Sequence, residues 1–199
     1  ETSLTKLKID RVNTLFLHNP RDEISDYGPI ENLMSDLKKE KLIKFSGLSV
    51  AKGFNYNYLP NFDSIQFDCN LLFLEDLFKY QNAYSTSYVR SPLASGILSG
   101  KLTRKSVFSK EDHRSEWICG ERLSSFLEQV EAINNLSENL SLPSLARKFL
   151  FQNKGIDKII FGVKSPRHVE DIVNDYKSFE ISKTLINKLI ELERNDFGF

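Results

Sequence analysis

Hydrophobic residues along the chain follow two periods in alternation. Short runs rich in β-formers occur at 12–17, 43–50, 64–69, 85–90 and 158–161, each bounded by polar or turn residues. Between them Ile30, Leu33, Met34 and Leu37 recur at helical spacing, as do Leu123, Phe126, Leu127, Val130, Ile133 and Leu136. A further helix is predicted to start near Pro143, tolerated in a first turn, and to bury Leu145, Phe149 and Leu150. The next starts at Ser165-Pro166, an N-cap followed by a good first helical residue, with Val169, Ile172 and Val173 on one face.

Alternating strands and helices predict an α/β fold: a parallel sheet covered by helices, either doubly wound or closed into a barrel. A dinucleotide-binding doubly wound sheet would carry GxGxxG between an early strand and helix, and the sequence has none. A (β/α)8 barrel takes eight strands in about 250 residues; five strands in 199 residues correspond to part of one. The stretch 91–120, "SPLASGILSGKLTRKSVFSKEDHRSEWICG", lacks clear periodicity, and a loop that long is usually functional or mobile. With no repeat and no linker-like segment, residues 1–199 are expected to form a single domain that is incomplete at its N-terminal side.

Composition narrows the classes. Lys plus Arg and Asp plus Glu both number 27, so no general field recruits nucleic acid or an anionic membrane, and any phosphate site is local. Cys69 and Cys119 are far apart and form no CxxC pair, which fits a reducing, cytoplasmic setting better than a disulfide scaffold. They also lack partners at metal-ligand spacing, so no metal is expected. No apolar run approaches the roughly 18 residues of a membrane-spanning helix. The chain begins at Glu1 and its one methionine is Met34, so a fragment or processed product is expected.

Six segments, in order, resemble the C-terminal two thirds of an aldo-keto reductase. They are "SLTKLKIDRVNTLFLHNP", "LIKFSGLSV", "SIQFDCNLL", "VRSPLASGILSGKLT", "DHRS" and "IIFGVKSPRHVEDI". The resemblance implies a (β/α)8 TIM barrel, here about strands four to eight, and NADPH-dependent reduction of an aldehyde or ketone, sugar-like carbonyls included, to an alcohol. It also implies a catalytic set of Asp, Tyr, Lys and His. The first three come from the family's first three barrel units, ahead of Glu1, and no later tyrosine or lysine is assigned in their place. His18 is the member present, so this chain alone is expected to be inactive. Two unpaired parallel edges further predict association or aggregation of the isolated chain. The alternative is an aldo-keto-reductase-like protein that holds dinucleotide for a binding or regulatory role without turnover.

The residues themselves support a cofactor site for NADP(H). His18 ends a strand, where a neutral imidazole N–H can polarise a carbonyl oxygen and hold it for hydride attack. Ser49 and Gln66 end the next two strands, where a hydroxyl and a carboxamide can hydrogen-bond the nicotinamide amide. Val50 stands where many relatives carry asparagine, which removes one such contact. Ser91, Pro92, Leu93 and Ser95 open the long loop with small residues that allow backbone N–H groups near a pyrophosphate, and Lys101 follows Gly100. Arg104, Lys105, His113 and Arg114 read as loop surface charge. Gly162, Lys164 and Ser165 combine close approach, a cation and a helix N-cap, an arrangement suited to a 2′-phosphate. His168 and Asp171 follow on nearly the same face, where relatives contact ribose and adenine, while Ile172 replaces a frequent asparagine. Asn70 and Asp68 read as strand-end and turn residues. A small-molecule carbonyl is the expected partner, with nothing in 102–119 to specify which.

Overall fold

The protein is described by a computed structural model covering residues 2–20, 24, 26–52 and 58–198. The helices are α1 (Thr2–Leu7), α2 (Gly28–Lys39), α3 (Glu75–Tyr80), α4 (Gly120–Asn135), α5 (Leu142–Gln152), α6 (Pro166–Lys177) and α7 (Lys183–Arg194). Five strands, β1 (Val12–His18), β2 (Ile43–Ser49), β3 (Ser64–Asp68), β4 (Thr86–Arg90) and β5 (Lys158–Ile159), form one sheet in the order β1-β2-β3-β4-β5. The β1–β2 and β2–β3 pairs are parallel. Helices connect β1 to β2, β3 to β4 and β4 to β5, in keeping with the crossover connections that parallel strands need.

The chain forms two compact units, one of Glu1–Asp68, Glu75–Val89 and Gly155–Lys158, the other of Cys69–Leu74, Arg90–Lys154 and Ile159–Phe199. In the first, Leu48, Ile65 and Phe67 have no solvent exposure, as expected of central strands covered on both faces. Buried Ser46 and Ser64 are satisfied locally. Ser64 Oγ donates to the Ser46 carbonyl at 2.9 Å, and Ser46 N–H and Oγ donate to Asp63 Oδ2 at 2.7 and 2.8 Å. Lys38 at the end of α2 pairs with the same carboxylate at 2.5 Å, tying the helix to the β2 edge of the following turn. Burial pushes the Asp63 carboxyl up, but the Lys38 and Ser46 hydrogen bonds outweigh it and hold the group below its ordinary range.

The sheet curls. Strands β1 and β4 are not neighbours, yet Thr14 Oγ1 lies 3.4 Å from Tyr88 OH and the Phe16 and Tyr88 rings meet edge-on at 5.2 Å. Lys158 Nζ on β5 donates to the same phenol at 3.0 Å. Burial raises the Tyr88 phenol, and the Thr14 and Lys158 contacts more than reverse that. Close packing at Phe16 also explains a glycine. A Cβ on Gly47 would sit 2.5 Å from Phe16 Cδ1 and Cε1 and 2.8 Å from Ser64 Oγ. Gly47→Ala is therefore expected to destabilise the protein by about 1–3 kcal/mol through overpacking, read as a lower urea midpoint with an unchanged m-value.

In the second unit α5 is the buried helix, with Leu145, Phe149 and Leu150 at 0–1% exposure as its periodicity predicts. Ser141 caps it by accepting from Ser144 N–H, and Pro143 lies in its first turn. Polar side chains of α5 fasten α6 and its sequel. Ser144 Oγ donates to Asp175 Oδ1 at 2.5 Å, Arg147 contacts Asp175 Oδ2 through Nε and Nη2, and Lys148 Nζ donates to the Ser178 carbonyl and hydroxyl. Gln152 bonds both backbone groups of Ile181. Helix α6 itself buries no residue, and Val169 and Val173 on its apolar face are 48% and 43% exposed.

The strands agree with the periodicity to within a residue at most ends, with one difference of substance. The run 158–161 is a strand only at Lys158–Ile159; Ile160 is 44% exposed, and Phe161 packs on Phe151 at 5.8 Å between ring centroids. The stretch 91–120 is not structureless, since 3-10 turns form at Ala94–Ser99 and His113–Glu116.

Candidate functional site

Register creates the first group of site residues. The β1–β2 pairing sets His18 opposite Ser49, and the β2–β3 pairing sets Ser49 opposite Gln66, so three polar side chains stand side by side across three adjacent strands. His18 and Ser49 end their strands, but Gln66 is the middle residue of β3 and not its end, because β3 continues to Asp68. Neighbouring strands lie about 4.8 Å apart, a span short side chains can bridge. They do: His18 Nδ1 lies 3.1 Å from Ser49 Oγ, and Ser49 Oγ donates to Gln66 Oε1 at 2.9 Å. Ser49 is fully buried, Gln66 half-buried and His18 exposed, so the row runs from the interior to solvent. The backbone extends the arrangement, with Asn19 N–H donating to Ser49 O at 2.7 Å and Val50 N–H to Gln66 O at 2.9 Å. Val50 is buried, so this position adds no polar group to the row.

The second group lies in the other unit. Ser91, Ala94, Ser95 and Gly96 all have positive φ, of 57°, 47°, 54° and 99°. This tight left-handed path is held by Ala94 N–H to Ser91 O and Gly96 N–H to Leu93 O, so two amides of the expected anion loop are spent within it. Asn70 fixes the loop's start by donating from Nδ2 to Ser91 O at 3.1 Å, and its Oδ1 accepts from Leu72 N–H, in keeping with a turn residue. Pro92 is buried, Leu93 partly so, and Ser95 and Lys101 are exposed.

Arg114 does more than decorate the surface. Its guanidinium holds Asp112 at 2.5 Å, donates from Nη1 to Ser95 O at 3.3 Å and covers the Phe108 ring at 4.3 Å, pinning one part of the long loop onto another. Hydrogen bonds from Arg114 keep the Asp112 carboxyl far below its ordinary range. An Asp two residues before an Arg is the sequence signal for this clamp. Arg104 pairs with Glu128 at an exposed site, as surface charge.

The third group opens α6. Ser165 is the N-cap, its Oγ accepting from His168 N–H at 3.4 Å, and Lys164 N–H donates to His168 Nδ1 at 3.3 Å. Because Nδ1 accepts there, the neutral ring carries its proton on Nε2. Gly162 and Lys164 are exposed, and His168 and Asp171 are partly buried. A Cβ on Gly162 would meet nothing within 4 Å, so packing within the chain does not require glycine there. Among the described residues no group of three or more His, Cys, Asp or Glu could hold a metal ion.

The aldo/keto reductase family model matches residues 1–194. The chain belongs to that family. Its fold is similar to the glycerol dehydrogenase AKR11B4 from Gluconobacter oxydans, with a TM-score of 0.73 at 20% identity over 96% of this chain and 62% of that one. It is also similar to the aldo-keto reductase AKR11C1 from Bacillus halodurans. The apo form gives a TM-score of 0.69 at 18% identity over 96% of this chain and 65% of that one. The holo form gives 0.70 at 18% identity over 94% and 61%. The α/β fold with its five-stranded parallel sheet thus matches an incomplete (β/α)8 barrel, and the chain spans about three fifths of the structures it resembles. No curated protein sequence matches it significantly. Among the described residues, no helix is long and apolar enough to cross a membrane.

Proposed function

We propose that the protein acts in NADPH-dependent reduction of an aldehyde or ketone to an alcohol, this chain contributing the carbonyl-orienting histidine and most of the cofactor contacts of one aldo-keto-reductase domain. The observation that carries this reading is the register-aligned row His18–Ser49–Gln66, a polar set across three adjacent strands in a family of oxidoreductases. Active groups of (β/α)8 enzymes sit at the C-terminal ends of strands, and His18 and Ser49 are the last residues of β1 and β2.

The residues present fit a nicotinamide dinucleotide. Gln66 Nε2 makes no hydrogen bond among the described residues, so the side-chain amide has hydrogen-bonding capacity left for the nicotinamide amide. Lys164 makes no ion pair among those residues, and the open space at Gly162 would admit a ligand's backbone-side approach. Bound NADPH would supply the hydride. Ser49 and Gln66 would orient the nicotinamide amide; Ser91, Pro92, Leu93, Ser95 and Lys101 would line the pyrophosphate; Gly162, Lys164, Ser165, His168 and Asp171 would hold the adenosine end. His18 would hold the carbonyl oxygen by an imidazole N–H. Cys69 is buried, Cys119 is exposed and the two form no disulfide, in keeping with a reducing cytoplasmic setting.

Fluorescence titration with NADPH and NADH tests the cofactor reading. A charge-assisted contact to the 2′-phosphate is worth roughly 1.5–3 kcal/mol, so NADPH should bind about tenfold or more tightly than NADH. Lys164→Ala should remove that preference. Gly162→Ala should weaken both cofactors with the melting temperature unchanged, since no neighbour requires glycine there. Equal affinities for the two cofactors would count against the 162–165 phosphate site, and cofactor binding without carbonyl turnover in the protein would favour a binding or regulatory role.

A further inference from the structure

The hydrogen-bond order along the His18–Ser49–Gln66 row constrains the tautomer of the histidine. A serine hydroxyl has one proton. In the structure it is given to Gln66 Oε1, so Ser49 Oγ can only accept from His18 Nδ1. A neutral imidazole that donates from Nδ1 has a bare lone pair on Nε2. In that state the outer nitrogen of His18, which has no partner among the described residues, accepts hydrogen bonds and cannot donate one to a carbonyl oxygen.

One rotation reverses the row. Turning the Gln66 side-chain amide by half a turn presents Nε2–H to Ser49 Oγ. Ser49 then gives its proton to His18 Nδ1, and the imidazole proton resides on Nε2. Both contacts between the three side chains are kept in either order, and the amide is not locked, since Gln66 Nε2 makes no hydrogen bond among the described residues. The two orders offer different faces to a ligand beside Gln66. The first leaves the amide N–H donors outward, and the second leaves Oε1 outward as an acceptor.

We propose that His18, Ser49 and Gln66 form a reversible relay in which the orientation of the Gln66 amide sets the tautomer of His18, so that His18 donates from Nε2 to a carbonyl only when Gln66 turns Oε1 away from Ser49. A nicotinamide carboxamide that donates its N–H2 to Gln66 Oε1 stabilises that second order. The cofactor's amide and the substrate's oxygen are then coupled through three side chains, and by linkage each favours the other. Gln66 and Ser49 are positioning residues in this scheme. Its cofactor half rests on the NADPH reading above, and its relay half does not.

The readout is the tautomer of His18 by long-range 1H–15N NMR on the full 199-residue chain, at alkaline pH where an ordinary imidazole is neutral. The chain has three histidines. His168, whose Nδ1 accepts from Lys164 N–H, is an internal reference for the Nε2–H form. Without cofactor, His18 should give the Nδ1–H pattern, and Ser49→Ala should abolish that preference. Saturating NADPH should convert the wild-type signal to the Nε2–H pattern but leave Gln66→Glu unchanged, because a carboxylate only accepts. The same His18 tautomer with and without Ser49 overturns the relay whatever the cofactor does. NADPH binding seen by fluorescence with His18 still in the Nδ1–H form overturns the coupling. Absence of NADPH binding overturns the cofactor reading, and the Ser49→Ala comparison still decides the relay.

Discussion

In the full aldo-keto-reductase domain proposed above, His18→Ala is expected to lower kcat/KM for carbonyl reduction by about 10²-fold, most of it in kcat, with NADPH affinity nearly unchanged. Removing one preorganised donor aimed at a developing oxyanion typically costs 10²–10³ in rate, and the exposure of His18 places it at the lower end. The fold should not suffer. Ser49 keeps its bond to Gln66 Oε1 when the imidazole is removed, so no buried hydroxyl is orphaned, and an exposed strand-end substitution usually stays within about 0.5 kcal/mol. Steady-state kinetics beside a melting curve separates the two effects. A rise in KM alone, with kcat intact, would mean that His18 binds the substrate without assisting the reaction.

Asp175→Ala should be the most damaging single change to stability in the α5–α6 region, by about 3 kcal/mol. Both partners of the Arg147–Asp175 pair are nearly buried, with side-chain exposures of 11% and 13%, and the same carboxylate accepts from Ser144. Truncation would strand a guanidinium and a hydroxyl away from water, which costs far more than losing an exposed pair. For a domain of this size each kcal/mol corresponds to roughly 2–4 °C in melting temperature. The double variant Arg147→Met with Asp175→Leu should recover most of the loss, because an apolar pair of similar volume avoids the desolvation of both charges. If the double variant is as unstable as Asp175→Ala alone, α6 is held by something other than this pair. Because α6 begins with Ser165 and carries His168 and Asp171, the single variant should also bind NADPH less tightly.

Much of this architecture is readable from periodicity. Strands β1 to β4 and helices α2, α4, α5 and α6 follow directly from apolar spacing and from Ser-Pro starts. The polar row is readable too, because His18 and Ser49 end or nearly end their expected strands and Gln66 interrupts the apolar run of the next. Their hydrogen-bond order is not, since it depends on register and on which way an amide faces. Helix α7 carries Leu185 and Leu189 one turn apart, both buried, a signal short enough to pass for chance in a polar segment. Helix α3 has six residues, too few for periodicity to speak, and is fixed by packing such as Tyr80 on Phe67. The Arg147–Asp175 and Tyr88–Lys158 contacts join residues 28 and 70 positions apart, beyond any local rule. Strand β5 fails its apolar pattern because Ile160 faces solvent and Phe161 packs on α5 instead of extending the ladder.

NADPH is expected to bind this aldo/keto reductase chain with its nicotinamide amide at Ser49 and Gln66. A crystal structure of the protein with NADPH measures this directly. The carboxamide should lie within hydrogen-bond distance of Ser49 Oγ or the Gln66 amide, and the 2′-phosphate against Lys164 and the Ser165 end of α6. A bound cofactor whose amide contacts neither Ser49 nor Gln66 would contradict this placement.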